Sequence, residues 1–287
     1  MVLSLSTLDI ALRYDILMLI VACVKQVPDT TQVKVDPVTG TLIREGVPFI
    51  MNPYDTHALE ESLRLKDKYG FRVAVISMGP PSAEITLRKT IALGADEAIL
   101  LSDRVFGGAD TLATSMVLAE AIRRLAQKEE LAIVMCGRQT IDGDTAQVGP
   151  GIATRLGCSQ LTLVDRVESV DLKAKTVRVR RKLEGRHEVV SAPLPAMIAV
   201  LREINTPRYP DVPRRLMAED APITLWDNKV MQMNEATIGL KGSATQVRKI
   251  FSPERAKGEI LSKDNDKPEE TARLLINKMM EKDLLSL

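Results

Sequence analysis

A doubly wound α/β fold with a mostly parallel sheet is what this sequence predicts, on three observations. Apolar strand-like runs alternate with amphipathic helices from Met18 to about Leu156. The runs are continuously apolar, as expected of strands covered on both faces. Beyond them the pattern changes to alternating β segments, read as an antiparallel extension of the same sheet.

In chain order, LIVACVKQV (19–27) is the first strand, and DPVTGTLIREG after it reads as a small surface hairpin. NPYDTHALEESLRLKDKYG opens a helix with Asn52 as N-cap, Pro53 at the first helical position and Gly70 past its end. FRVAVISMG is the second strand, and PPSAEITLRKTIALG a helix closed by Gly94. EAILLS is the third strand; the helix from Thr111 to about Lys128 follows, with Asp110 as its cap. LAIVMCG is the fourth, leading through a Gly-containing loop to a short helix that ends at Gly157. LTLVDRVESVD, TVRVRRKLEGRHEVVS and PAMIAVLRE supply the extension. The basic run RVRRKLEGRH suits a solvated edge strand better than a nucleic-acid patch, because no aromatic residues accompany it. NTPRYPDVPRRLMAEDAPITLW, with four prolines, reads as an extended arm. EETARLLINKMMEKDLL reads as a last helix with Leu274, Leu275, Met279 and Leu284 on a face that should dock. Arm and docking helix together suggest a subunit rather than a free monomer.

Composition narrows the function. The chain has 287 residues, 45% apolar and 27% charged, as a soluble globular protein does. Its 39 basic and 38 acidic residues nearly cancel, so no strong field points to nucleic acid or an anionic membrane. No apolar run reaches the length of a membrane span. Residues 1–17 carry Asp9 and Asp15 and lack a basic start, so they read as an N-terminal extension rather than a signal peptide. Cys23, Cys136 and Cys158 stand far apart, which disfavours a zinc or iron–sulfur site and suits a reducing, cytoplasmic setting. His57 with Glu60 or Glu61 has metal-compatible helical spacing, but a polar, solvated helix face is the plainer expectation. Aromatic residues are only 3%, which raises the question of how a flat cofactor would be gripped.

In such a sheet, ligands bind beyond the carboxyl ends of the strands, at a topological switch point. The exit loops are Cys23 to Gln26, Ser77 to Pro80, Gly107 to Thr111 and Gly137 to Gly149. GGADTLATS places two glycines ahead of a helix that begins with Thr111, Thr114 and Ser115. DGDTAQVG does the same with Asp142, Gly143, Asp144, Thr145 and Gln147. Amides and hydroxyls at a helix N-terminus form an anion site. Ordinary capping by Asp110 and Asp144 is the other reading of each loop. Neither loop is a Walker motif, and no G-x-G-x-x-G follows the first strand, so a P-loop NTPase and a conventional nicotinamide dehydrogenase are both disfavoured. No nucleophile–base set is visible.

LIVACVKQVPD, MNPYDTHALEESLRL, ISMGPPSAEITLRKTIALGADEAILLSD and CGRQTIDGDTAQVGPGIATRLG, in this order, resemble the β subunit of electron transfer flavoproteins. The likeness runs from Met18 to about Pro213 and resumes at the C-terminal helix. It implies an α-subunit partner carrying its own flavin. The pocket of this subunit holds AMP in the family's classical branch and a second FAD in its bifurcating branch. VPDTTQVKVDPVTGTLIREGV, NPYD, GGADTLATS and DGDTAQVGP resemble the bifurcating branch, with Ala146 and Val148 where classical members are bulkier.

By this resemblance the nucleotide contacts fall on Cys23 and Val24, with Cys23 on the adenine side, and on Asn52, Tyr54, Asp55, Met78 and Gly79. They continue over Gly137, Arg138, Gln139, Asp142, Gly143, Asp144, Thr145, Ala146, Gln147 and Val148. The bifurcating branch adds Gly108, Ala109, Asp110, Thr111 and Thr114 near the pyrophosphate. Arg138 has two candidate roles, stabilising a reduced anionic flavin or pairing with Asp142 or Asp144. The partner-recognition loop matches NTPRYPDVPRRLM, with Val212 in place of the classical leucine anchor. The implied activity takes electrons from NADH and splits them between ferredoxin or flavodoxin and a dehydrogenase such as acyl-CoA dehydrogenase. The implied organisation is a nucleotide-binding domain over residues 18–203 and a partner-recognition arm with docking helix over 204–287. With Tyr54 and Phe106 the only rings near the loops, a flavin would rest on amides, hydroxyls and the aliphatic edges of Met78 and Val148, and partly against the partner.

Overall fold

Strands made of apolar runs lie at the middle of the sheet, because only there are both faces covered. The computed structural model describes residues 18–29, 34–35, 42–43, 48–246, 258–261 and 267–285. Residues 1–17 and most of the stretch read as a surface hairpin lie outside the described residues.

The chain opens with β1 (Leu19–Cys23) and β2 (Gln26–Pro28). Two short strands, β3 (Lys34–Val35) and β4 (Leu42–Ile43), pair antiparallel, and β5 (Phe49–Met51) pairs antiparallel with β2. Then come α1 (Pro53–Tyr69), β6 (Arg72–Met78), α2 (Glu84–Leu93) and β7 (Glu97–Leu101). They are followed by α3 (Thr111–Ala126), β8 (Leu131–Gly137) and α4 (Val148–Leu156). The extension consists of β9 (Ser159–Asp171), β10 (Thr176–Leu183), β11 (Arg186–Pro193) and β12 (Ala196–Val200). The remainder of this unit holds α5 (Val212–Glu219), β13 (Thr224–Trp226) and α6 (Asn228–Met231).

Nine strands form one sheet in the order β11-β10-β9-β12-β8-β1-β6-β7-β13, parallel from β9 to β13 and antiparallel across β9, β10 and β11. Ile20 and Ala22 pack with Leu59 and Leu63 of α1 and Leu87 of α2 on one face. Leu19 and Val21 pack with Val117 and Ile122 of α3 and Ile152 of α4 on the other. The fold is doubly wound, as the alternation of runs predicts.

Three local expectations are corrected. PAMIAVLRE does not belong to the antiparallel part: β12 lies between β8 and β9, parallel to both, with all five residues buried. Its unbroken apolar run marks a central strand. The proline-rich segment is not wholly extended. Asp211 accepts the Arg214 amide at 2.8 Å and, with Pro213 in the first turn, starts α5. Arg88 Nη1 then donates to the carbonyls of Ala218, Glu219 and Ala221, which ends that helix against α2, and β13 adds to the β7 edge. Finally, Glu60 and Glu61 are buried rather than on a solvated face. Glu60 takes the Arg208 amide and guanidinium, at 3.0 and 2.9 Å, and Glu61 accepts from Asn205. His57 Nδ1 lies 3.0 Å from the same Asn205, so this trio anchors the root of the arm.

A second unit contains α7 (Pro268–Glu281). Within it Lys278 pairs with Glu259, while Leu274, Leu275, Ile276 and Met280 stay exposed.

Candidate nucleotide site

The strand order reverses at β1: the chain steps from β1 to β6 and β7 on one side, then crosses to β8 on the other. Cys23 and Cys136 are partners in register at the carboxyl ends of β1 and β8, so the switch-point crevice opens above them. Two residues at the start of α1 determine its shape. Asn52 is fully buried, and its side chain does not cap its own helix as the sequence suggests. Instead its Nδ2 donates to the Gln139 carbonyl at 2.9 Å, and its Oδ1 accepts the Ile141 amide at 3.2 Å. Asp55 accepts the Lys25 amide at 2.8 Å on one oxygen and the Gly137 amide at 3.2 Å on the other. One helix end thereby ties together the β1 exit, the β8 exit and the loop beyond it.

That loop, 138–147, carries Asp144 and Ala146 in the left-handed region, at φ 50° and 55°. Alternation of this kind turns successive amides to one side, a nest for an anion. The amides of Thr145, Ala146 and Gln147 have no acceptor among the described residues. They lead into the N-terminus of α4, which lies against α3: a side chain on Gly151 would meet Ser115 Oγ at 2.7 Å. Thr111 Oγ1 donates to Gln147 Oε1 at 2.8 Å, so the two helix N-termini meet side by side at the crevice. Across it, Lys25 Nζ donates to Asp142 Oδ2 at 2.7 Å. Burial pushes the Asp142 carboxyl up, but hydrogen bonds from Lys25 and Thr140 outweigh it and hold the group below its ordinary value.

The structure therefore brings Cys23, Val24, Asn52, Asp55, Gly137, Gln139, Asp142–Val148 and Thr111 to one place. Met78 ends the neighbouring strand, and the Gly79 amide donates to Leu101. The other candidates stand elsewhere or are already engaged. Asp110 caps α3 through Ala113 and also accepts from the Thr245 amide and hydroxyl, while its own amide donates to Ser243. Leu240 lies over Gly108, 3.3 Å from where a Cβ would sit. Gly108 and Asp110 thus lie under a strap, residues 239–246, and Asp110 does the ordinary capping that the sequence also allowed. Phe106 is buried, and the Tyr54 ring is covered by Arg202, 4.6 Å from its centroid. Arg138 pairs with neither Asp142 nor Asp144; Gln139 Nε2 takes Asp144 at 2.7 Å. The Arg138 side chain has no partner among the described residues and lines two open clefts. Tyr54, Lys182 and Arg202 line one, of about 410 Å³; Ala146, Pro150 and Thr162 line the other, of about 300 Å³.

Lys25 falls in the Cys23 to Gln26 exit loop, but no motif singles it out as a contact, and none singles out the strap. An ammonium beside DGD could have been suggested by VKQ alone. Ser243 and Thr245 lie more than a hundred residues from Asp110 with no motif to link them.

Asp55 is the electrostatic exception. Burial outweighs the hydrogen bonds from Asn52, Lys25 and Gly137 and pushes its carboxyl up to about 7. A carboxyl raised in the folded state stabilises the fold most when protonated, and that contribution is lost as pH rises from its unfolded value towards 7. The stability of the wild type relative to Asp55→Asn should therefore fall between about pH 4 and pH 7 and level off above, as read by urea midpoints.

A family model described as the electron transfer flavoprotein domain matches residues 39–231. The chain is 48% identical over 264 residues to the electron transfer flavoprotein subunit beta of Clostridium acetobutylicum, covering 91% of this chain and 98% of that one. It belongs to the electron transfer flavoprotein β-subunit family. Protein FixA of Azotobacter vinelandii is 45% identical, covering 90% of this chain and 93% of its own length. The caffeyl-CoA reductase–Etf complex subunit CarD of Acetobacterium woodii is 45% identical, covering 93% and 100%. Membership makes the chain an electron-transport subunit of a flavoprotein, in a family whose β subunits work with α subunits. Among the described residues no helix is long and apolar enough to cross a membrane.

Proposed function

We propose that this subunit binds FAD in the switch-point crevice. With its α subunit it would take electrons from NADH and divide them between ferredoxin or flavodoxin and a dehydrogenase-linked acceptor. The observation that carries the reading is the meeting of the α3 and α4 N-termini at Thr111 and Gln147, beside three amides with no acceptor among the described residues. Such an arrangement fits a pyrophosphate, since amides and helix dipoles both favour an anion there. Thr145, Ala146 and Gln147 would hold the phosphates through their amides. Lys25 would exchange Asp142 for the nucleotide or stay bridging above it. Cys23, Val24, Met78 and Val148 would supply the walls.

A flavin, when bound, accepts two electrons at once and passes them on singly. The protein supplies position and charge, and no side-chain acid or base is required at each transfer. With Phe106 in the core and Tyr54 under Arg202, neither ring would grip the flavin, which agrees with a ring system resting partly on the partner chain. Ala146 and Val148 stand where classical members of the family are bulkier, which supports the bifurcating branch. The name of the Acetobacterium woodii relative, a subunit of a reductase–Etf complex, supports a dehydrogenase of the acyl-CoA type as partner. Tyr209, Val212, Leu216 and Met217 are exposed on the arm, as a docking surface would be. A cytoplasmic location fits three separate cysteines.

Reconstitution with the α subunit tests this reading. NADH should reduce ferredoxin only when a dehydrogenase and its high-potential acceptor are also present. Reduction of the dehydrogenase without any ferredoxin requirement would contradict it.

A further inference from the structure

We infer that Asp55 is a proton-linked positioning residue: its carboxylate holds the crevice in the shape that binds nucleotide, and protonation releases it. The inference rests on the crevice being the nucleotide site, as proposed above, and adds how that site is regulated.

The geometry carries it. Each Asp55 oxygen accepts one backbone amide, Lys25 at 2.8 Å and Gly137 at 3.2 Å, and those amides leave the two strands that flank the switch point. Only the ionised group accepts well at both oxygens, because protonation turns one oxygen into a hydroxyl that must donate. The protonated form therefore leaves one of the two strand exits without its tie. Asn52 still holds Gln139 and Ile141, so the loop stays attached while the spacing between the β1 and β8 exits loosens. Gly137 leaves no slack in this contact, since even a Cβ there would fall 2.5 Å from Asp55 Oδ1.

The surroundings decide the pH at which this occurs. Lys25 is the cation facing the carboxylate, and it is shared with Asp142 across the crevice. From the strands, Cys136 faces it; the hydrogen bond with Cys23 and burial push the Cys136 thiol well above its ordinary value. One shared cation does not offset the loss of solvent, and the carboxyl is pushed up to about 7. A group half-ionised there holds the crevice in its binding shape for about a tenth of molecules at pH 6 and about nine tenths at pH 8.

The test uses the αβ complex freed of its β-subunit nucleotide and titrated calorimetrically with FAD, whose pyrophosphate does not titrate in this range. Between pH 6 and pH 8 the wild-type Kd should tighten about tenfold. Asp55→Asn offers one acceptor and one donor, so it should bind weakly, with a Kd that stays flat over the same range. A flat wild-type profile, or a variant that keeps the wild-type slope, would overturn the inference. If FAD fails to bind, the FAD assignment fails, and the same comparison with AMP decides the role of Asp55, because the phosphate's own titration cancels between wild type and variant. Should the variant not fold, hydrogen exchange of wild-type peptides containing the Lys25 and Gly137 amides decides it. Protection, corrected for intrinsic exchange, should rise from pH 6 to pH 8; unchanged protection would overturn the inference.

Discussion

Replacing Gly137 by alanine should destabilise the subunit by about 2–4 kcal/mol and prevent it from retaining nucleotide. The added methyl would fall 2.5 Å from Asp55 Oδ1, 2.6 Å from Tyr54 Cβ and 2.7 Å from the Tyr54 backbone carbon. None of these atoms can give way cheaply. Tyr54 and Asp55 belong to the first turn of α1, and Asp55 is anchored to both strand exits. Relief would require moving the helix N-terminus off the sheet, which breaks the Asn52 bonds as well. Gly143→Ala serves as the control in the same loop, because its nearest neighbour would be Thr140 Oγ1 at 3.6 Å. It should shift the urea midpoint by less than about 0.5 kcal/mol equivalent. A Gly137→Ala protein with wild-type stability and a full complement of nucleotide would show that α1 does not shape the crevice.

Asn52→Ala should cost about 2–4 kcal/mol, since it removes two hydrogen bonds made by a fully buried side chain. The Gln139 carbonyl and the Ile141 amide would each lose a partner, and loop 138–147 would lose its hold on α1. Nucleotide affinity should fall with it, at least tenfold by calorimetry, because the nest amides of Thr145 to Gln147 are presented by that loop. Asn52→Asp should not rescue either property. It keeps an acceptor for Ile141 but sets a carboxylate oxygen against the Gln139 carbonyl. Equal stabilities for Asn52→Asp and wild type would contradict this assignment of donor and acceptor.

The legible parts of the molecule are those determined by neighbours in sequence. Leu19–Cys23 and Leu131–Gly137 could be read as central strands from their unbroken apolar character, and Gly70 and Gly157 could be read as helix ends. Both glycines adopt the left-handed conformation that favours the residue. The Asp110 cap was legible for the same reason. Position within the sheet was not: β12 follows an antiparallel hairpin in sequence yet sits beside β8, and only pairing over some sixty residues decides that. Asn52 was read correctly as standing where a cap stands, but its side chain bonds to residues 139 and 141, which no local rule supplies. Arg138 was ambiguous because both nearby aspartates looked available; Lys25 and Gln139 occupy them instead. The candidate anion loops were visible through their Gly, Asp and Thr pattern. That the strap covers Gly108 and engages Asp110, while the Thr145, Ala146 and Gln147 amides have no acceptor among the described residues, could not be foreseen.

If the crevice holds FAD, as proposed, the αβ pair is a two-flavin protein. Denaturing the purified complex and separating the released nucleotides by chromatography measures this directly. Two FAD per αβ pair and no AMP are expected. One FAD and one AMP per pair would contradict the proposal.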